Sequence, residues 1–373
     1  MIDEKRILDT FLTLVSFDSE SFGERKIADE MKKRLCALGL TVEEDEADRI
    51  CGRKSADSAG NVFGVLPATA AGEPVLLCSH LDTVKPGIGK HAVVREDGSV
   101  TSDGTTVLGA DDAAGLTAIL EALAVLKEDG IPHPRIEVLF PVAEEIYGRG
   151  SEVFDYSKIE AKIACCFDLT GKIGEAVTEA PTILQLDAEV TGRGAHAGFN
   201  PEDGVNALSA AARALARIPT GRVADDTTVN FGTIRGGSVT NAVPETVVIG
   251  GEIRSLRHEE AVRRGEEIRR IFKEEADRIG ASVTVEVREM VHAYRTDPDS
   301  AIVRRYREAA KKLGIDASFG VTFGGSDNNH FARHGIEGIV AACSMHDVHT
   351  VHEFTNIREI AENAALIVEL LRA

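Results

Sequence analysis

Several common features are scarce in this sequence, and each scarcity excludes something. Six cysteines, Cys36, Cys51, Cys78, Cys165, Cys166 and Cys343, are scattered along 373 residues without a CxxC pair. That spacing argues against a disulfide framework and reads as small, reduced core residues. No stretch approaches the roughly 20 consecutive apolar residues of a membrane span, and the N-terminal MIDEKRILDTFLTLVSFDSE carries charges at both ends of a short apolar segment. A cytoplasmic chain with no membrane partner is the expectation. Positive charge is in deficit: 42 Lys and Arg against 61 Asp and Glu give a net charge of −19. Such a balance opposes approach to phosphate backbones and offers no basic patch, so nucleic acid is not an expected partner. Internal repeats and low-complexity segments are also missing.

What is present is the composition of a globular chain, 43% hydrophobic and 28% charged, with a length that suits two domains. The first half alternates helical and strand patterns. DEKRILDTFLTLVSF, ERKIADEMKKRLCALGL and DDAAGLTAILEALAVLKEDG have helical spacing; NVFGVLPA, PVLLCSHLDTV, RIEVLFPVAEE and IACCFDLT read as strands. Strands separated by helices predict a mostly parallel sheet with helices on both faces, a three-layer α/β domain. Near Thr178 the pattern becomes β-α-β-β-α-β, the split ferredoxin-like α+β arrangement, and from about Tyr294 the first pattern resumes. The expected organisation is one domain over residues 1–178 and 293–373, interrupted by a smaller one over 179–292.

Polar groups that do chemistry gather at the carboxyl ends of parallel strands, and here four strand ends deliver metal-competent side chains. LLCSHLDTV brings His80 with Asp82 two residues on, so that the carboxylate can orient the imidazole. LGADDAAG brings Asp111 and Asp112, PVAEE brings Glu144 and Glu145, and CCFDLT brings Asp168; SMHDVHTVHEF adds His346, His349 and His352. Each signal has a bland counterpart: a hydrogen-bonded structural histidine, a helix cap, a solvated pair of glutamates. Together they would leave several buried charges unneutralised without a cation. Mixed imidazole and carboxylate donors without thiolate suit Zn2+, Mn2+ or Co2+.

The runs SHLDTV, LGADDAAGLTAIL, PVAEEIYGRGS, FDLTG, GRGAHAGFNPEDGVNA, GGSVTNAVPE, GGSDNNHF and HTVHEF resemble, in order and spacing, the cocatalytic-zinc exopeptidases, and among them the peptidase T-like group. The likeness extends over nearly the whole chain. It implies a catalytic zinc domain carrying a lid and dimerisation domain, two divalent ions, most simply Zn2+, and hydrolysis of the N-terminal peptide bond of short peptides. An amidohydrolase removing acyl groups from N-acyl amino acids is the alternative. A homodimer formed through the lid is a further implication.

Residue by residue, the resemblance implies His80, Asp111, Glu145, Asp168 and His349 as metal ligands, Asp111 bridging, with His352 as the alternative to His349. Glu144 becomes the general base, Asp82 the partner of His80, and His196 of GRGAHAG the donor to the tetrahedral oxyanion. Asp112 either caps the following helix or sits at a strained step that orients Asp111. Asn241 and Arg254 resemble lid residues that hold substrate, and Gly325 and Ser326 a backbone wall near the metals. Phe323 stands where the tripeptidases carry an Arg before their GG, which puts strict tripeptide specificity in question.

Overall fold

The computed structural model describes residues 1–372. The chain divides into two compact units, one built from Met1–Thr178, Arg295–Val321 and Ser326–Ala373, the other from Glu179–Tyr294 and Thr322–Gly325.

The centre of the larger unit's sheet is four parallel strands in the order Ile136–Phe140, Val75–Cys78, Ile163–Leu169 and Glu337–Ala342. On one side Val62–Leu66 and then Thr41–Glu44 add antiparallel, and on the other Glu175–Ala180 pairs antiparallel through Ala176 and Val177. Alternate strand residues supply two cores. Leu77, Val138, Cys165 and Ile339 face a layer with Phe11, Leu35, Leu123, Tyr306 and Leu366. Leu76, Leu139, Cys166 and Val340 face another with Phe63, Phe154 and Phe331. Four of the six free thiols, Cys78, Cys165, Cys166 and Cys343, are buried. A small three-stranded sheet of Ala92–Val94, Ser99–Ser102 and Phe354–Asn356 lacks a long apolar run and is not evident in the sequence pattern.

The helix Ala110–Glu128 lies in the first of these cores and is buried on every side from Ala110 to Leu126. Its close approach to the sheet depends on Gly115: a Cβ there would lie 2.5 Å from the Phe167 carbonyl oxygen and 2.8 Å from Ser79 Oγ. Among the described residues no helix is long and apolar enough to cross a membrane.

In the smaller unit five strands run antiparallel in the order Gly221–Ala224, Thr227–Gly236, Thr246–Ser255, Thr182–Thr191 and Ser282–Val291. Without the short edge strand Gly221–Ala224 this is the expected β-α-β-β-α-β order. Helices Ala207–Arg217 and His258–Ile279 cover the sheet. The sequence leaves open whether the first of them turns its apolar stripe to its own sheet or to another subunit. Ala207, Ala210, Ala211 and Ala214 are buried in one cluster with Leu184, Leu186 and Val247, so the stripe meets its own sheet.

Candidate metal centre and active site

Five side chains far apart in sequence meet in the larger unit. His80 follows Val75–Cys78, Asp168 lies near the end of Ile163–Leu169, Glu145 follows Ile136–Phe140, Asp111 opens the buried helix and His349 lies in the loop after Glu337–Ala342. His80 Nε2 is 3.0 Å from Asp111 Oδ1 and 3.8 Å from Asp168 Oδ1. His349 Nε2 is 3.2 Å from Asp111 Oδ2 and 3.1 Å from Glu145 Oε2. Each oxygen of Asp111 thus faces a different imidazole. The result is two three-residue groups, His80, Asp111 and Asp168, and Asp111, Glu145 and His349, sharing one carboxylate. His349 adopts a left-handed backbone, φ 63°, as does Asp347, φ 50°, a conformation uncommon outside glycine. His352 is exposed and belongs to neither group.

The donor set fits two divalent cations. It offers nitrogen and oxygen without thiolate, the pattern of Zn2+, Mn2+ and Co2+, and the buried Oε1 of Glu145 has no hydrogen-bond partner among the described residues. Protons and cations compete for these lone pairs, and the titration of the ligands reflects it. Burial pulls the His80 imidazole down, yet the hydrogen bonds to Asp111 and Asp82 outweigh it and hold the pKa well above the ordinary value. His349 is pushed up to about 10 by Asp111 and Glu145. Burial raises Asp111, but the two imidazoles overcome it and keep this carboxyl below the usual range. Asp168 and Glu145 are raised, first by burial.

The turn carrying the two glutamates is built by other acids. After the strand, Ala143 takes φ 55°, Glu144–Ile146 form one turn of 3-10 helix, and Tyr147 takes φ 74°. Three consecutive backbone N–H groups point to two carboxylates: Ala143 N donates to Glu24 at 3.0 Å, and Glu144 N and Glu145 N donate to Asp82 at 2.8 and 3.3 Å. Glu24 is fully buried, and burial followed by the Asp82 charge pushes it up to about 8. This arrangement lets neighbouring glutamates diverge: Glu145 joins the metal group, while Glu144, buried and outside it, is raised well above a normal carboxyl by burial and by Asp168.

Asp82 also serves His80, though the geometry differs from a simple carboxylate contact. His80 Nδ1 is 3.0 Å from the Asp82 backbone carbonyl oxygen and 3.4 Å from its carboxylate. Facing two acceptors, Nδ1 carries hydrogen and leaves Nε2 for the shared site. Asp112 does not cap the helix. Its carboxylate accepts from Ser79 Oγ at 2.5 Å and His80 N at 3.1 Å, and the peptide joining it to Asp111 is cis.

Glu353 is a site residue that the sequence reading missed except as a marker for His349. Its buried carboxylate accepts from Leu108 N at 2.7 Å, Gly109 N at 2.8 Å and Asp111 N at 2.9 Å. Its position four residues after His349 was the available signal.

In the smaller unit, His196 Nδ1 accepts from Gly198 N and Phe199 N, both at 3.1 Å. The proton therefore resides on Nε2, so the exposed ring presents a donor. The Asn241 carbonyl accepts from Ala197 N, which sets its loop beside that of His196. The Arg254 guanidinium is already engaged: Nε and Nη2 hold Glu252 at 2.8 and 3.0 Å, and Nη1 donates to the Phe323 carbonyl at 2.8 Å. Arg254 thereby braces Thr322–Gly325, and Arg222 stacks 4.4 Å above the Phe323 ring. Gly325 belongs to this unit, whereas Ser326 belongs to the larger one, where its N–H is held by Asn329 Oδ1.

Residues 178–279 match the model of a peptidase dimerisation domain of the M20 group, and residues 61–197 match peptidase family M28. The Bacillus subtilis protein YqjE is 37% identical over 371 residues, which span 100% of this chain and 99% of its own. The crystal structure of aminopeptidase PepT from Bacillus cereus is 38% identical, with a TM-score of 0.90 over 99% of this chain and 98% of that one. A Staphylococcus aureus tripeptidase is 34% identical, with a TM-score of 0.94 over 100% and 98%. The chain belongs to the peptidase T-like M20 peptidases. It is a peptidase-type hydrolase with a dinuclear donor set, and the smaller unit contains most of the matched dimerisation domain.

Proposed function

We propose that this chain is a metal-dependent aminopeptidase that removes the N-terminal residue from short peptides, tripeptides among them. One observation carries the reading: Asp111 stands between His80 and His349 with one oxygen toward each, and Asp168 and Glu145 complete the two groups. His80, Asp111 and Asp168 would hold one cation, and Asp111, Glu145 and His349 the other. Two such ions, zinc by preference, would polarise the scissile carbonyl and lower the pKa of a shared water toward about 7.

The remaining work falls to the protein's own groups. Glu144, fixed by the Asp82 bond to its backbone N–H, takes the proton of the attacking water and delivers it to the leaving amine. Asp82 keeps His80 in the tautomer whose Nε2 faces the site. His196, with its proton on Nε2, suits the oxyanion donor role. Asn241 would contact substrate, and Gly325 and Ser326 would wall the cleft. Arg254 serves by bracing the Phe323 segment, since its fork is filled by Glu252. Pairing of two copies through the smaller unit and residence in the cytoplasm belong to the same reading. Deacylation of N-acyl amino acids is not favoured, because an aminopeptidase and a tripeptidase are full-length relatives at 38% and 34% identity.

The test is hydrolysis of a panel of di-, tri- and tetrapeptides beside N-acetyl amino acids, with Zn2+, Co2+ or Mn2+ restored to chelated protein. Brisk deacylation without peptide cleavage would overturn the assignment. Glu144→Gln should keep its bound metal and lose about 10²- to 10⁴-fold in kcat; undiminished turnover would remove Glu144 from the mechanism.

A further inference from the structure

The smaller unit holds a second group of metal-competent side chains. His258 opens the helix His258–Ile279, and Glu289 and His292 come from the end of the strand Ser282–Val291. The pairing of that strand with Thr182–Thr191 shifts between Glu289 and Val291. Such a bulge breaks the alternation of faces and re-aims the side chains beyond it. Here His292 Nδ1 lies 3.1 Å from Glu289 Oε1, and His258 Nδ1 lies 3.7 Å from Glu289 Oε2. The two rings are 4.1 Å apart between centroids at 31°. Thr182 Oγ1 sits 3.2 Å from His258 Nδ1 and accepts from Ala293 N at 2.9 Å, which ties the three elements at one point.

One carboxylate reaches both imidazoles. One donor atom from each residue falls within 4.8 Å of the others. We propose that His258, Glu289 and His292 bind a single transition-metal dication, with Zn2+ as the simplest occupant. Two nitrogens and one oxygen leave a fourth position open to water. The side chains are 29 to 36% exposed, so the ion enters from solvent. A cation there would clamp the start of the helix to the end of the strand Ser282–Val291.

The experiment is a Zn2+ titration of chelator-stripped protein against a chromophoric chelator, with metal analysis after dialysis and circular dichroism to check the fold. The wild type should bind one equivalent more than His258→Ala/His292→Ala. Glu289→Gln, the milder change, should weaken that same equivalent at least tenfold. The extra equivalent should survive in His80→Ala, which separates it from the shared site of the larger unit. Equal stoichiometry in wild type and double variant, or an equivalent indifferent to Glu289→Gln, overturns the proposal.

Discussion

Replacing Glu353 by Gln tests whether a residue outside the two donor groups sets the position of the Asp111 carboxylate they share. The change keeps the side chain's shape and removes its charge. Three buried N–H donors, from Leu108, Gly109 and Asp111, now end on the carboxylate at 2.7 to 2.9 Å. A hydrogen bond to a charged acceptor contributes about 1.5 to 3 kcal/mol, and one to a neutral acceptor about 0.5 to 1.5. Gln has one acceptor oxygen where Glu has two, and its NH2 cannot accept. Two bonds weakened by about 1 kcal/mol each and one lost at about 1 to 3 kcal/mol give at least about 3 kcal/mol, a factor of about 100 or more. The loss divides between folding and the order of the stretch ending at Asp111. At about pH 8.5, where Glu353 is ionised although burial raises its carboxyl to about 7, urea unfolding of stripped protein should therefore lose about 1 to 3 kcal/mol, and chelator competition should show Zn2+ held roughly 10- to 100-fold more weakly. Stability and metal affinity both unchanged within about 0.5 kcal/mol would refute the reasoning, because three buried donors cannot lose a charged acceptor at no cost.

Other perturbations separate neighbouring claims. His349→Ala should lower bound metal while His352→Ala leaves it intact, since only His349 faces Asp111 and Glu145; metal analysis showing the reverse would exchange them. Glu44 is raised by burial, but hydrogen bonds from Arg25 and Lys32 overcome this and lower it from 4.5 to about 2. Its contribution is complete above pH 4.5 and is lost as pH falls through about 2, so Glu44→Gln should flatten the acid limb of stability by about 2 kcal/mol. Gly115→Ala should destabilise by about 1 to 3 kcal/mol in thermal unfolding, because its Cβ would meet the Phe167 carbonyl at 2.5 Å and the Asp112 carboxylate at 2.6 Å.

The sequence made some parts of this molecule readable because local pattern and tertiary role coincide there. The run IACCFDLT is a buried strand because its residues fill two cores in alternation, and the same apolar run points to the acid at its end. The smaller unit's strand and helix order was readable for the same reason. The antiparallel margins of the large sheet were not, since Glu175–Ala180 carries no stronger pattern than a loop. Nor was the membership of Thr322–Gly325, which depends on Arg254 reaching the Phe323 carbonyl across 69 residues.

The limit is sharpest at the acids behind the metal groups. Asp82, Asp112, Glu24 and Glu353 each take backbone N–H groups from distant segments: Glu144 and Glu145, His80, Ala143, and Leu108, Gly109 and Asp111. Period and propensity describe how a side chain faces its own element, and these contacts depend on where a second chain segment passes. A sequence containing Glu24 in SFGERK gives no sign that its carboxylate is fully buried beneath Ala143. Yet without such acceptors the N–H groups of the EE turn would be buried and unpaired, and the turn would relax toward solvent. The two glutamates can therefore diverge only because Asp82 and Glu24 hold their backbone, which makes the adjacent pair a property of three chain segments together.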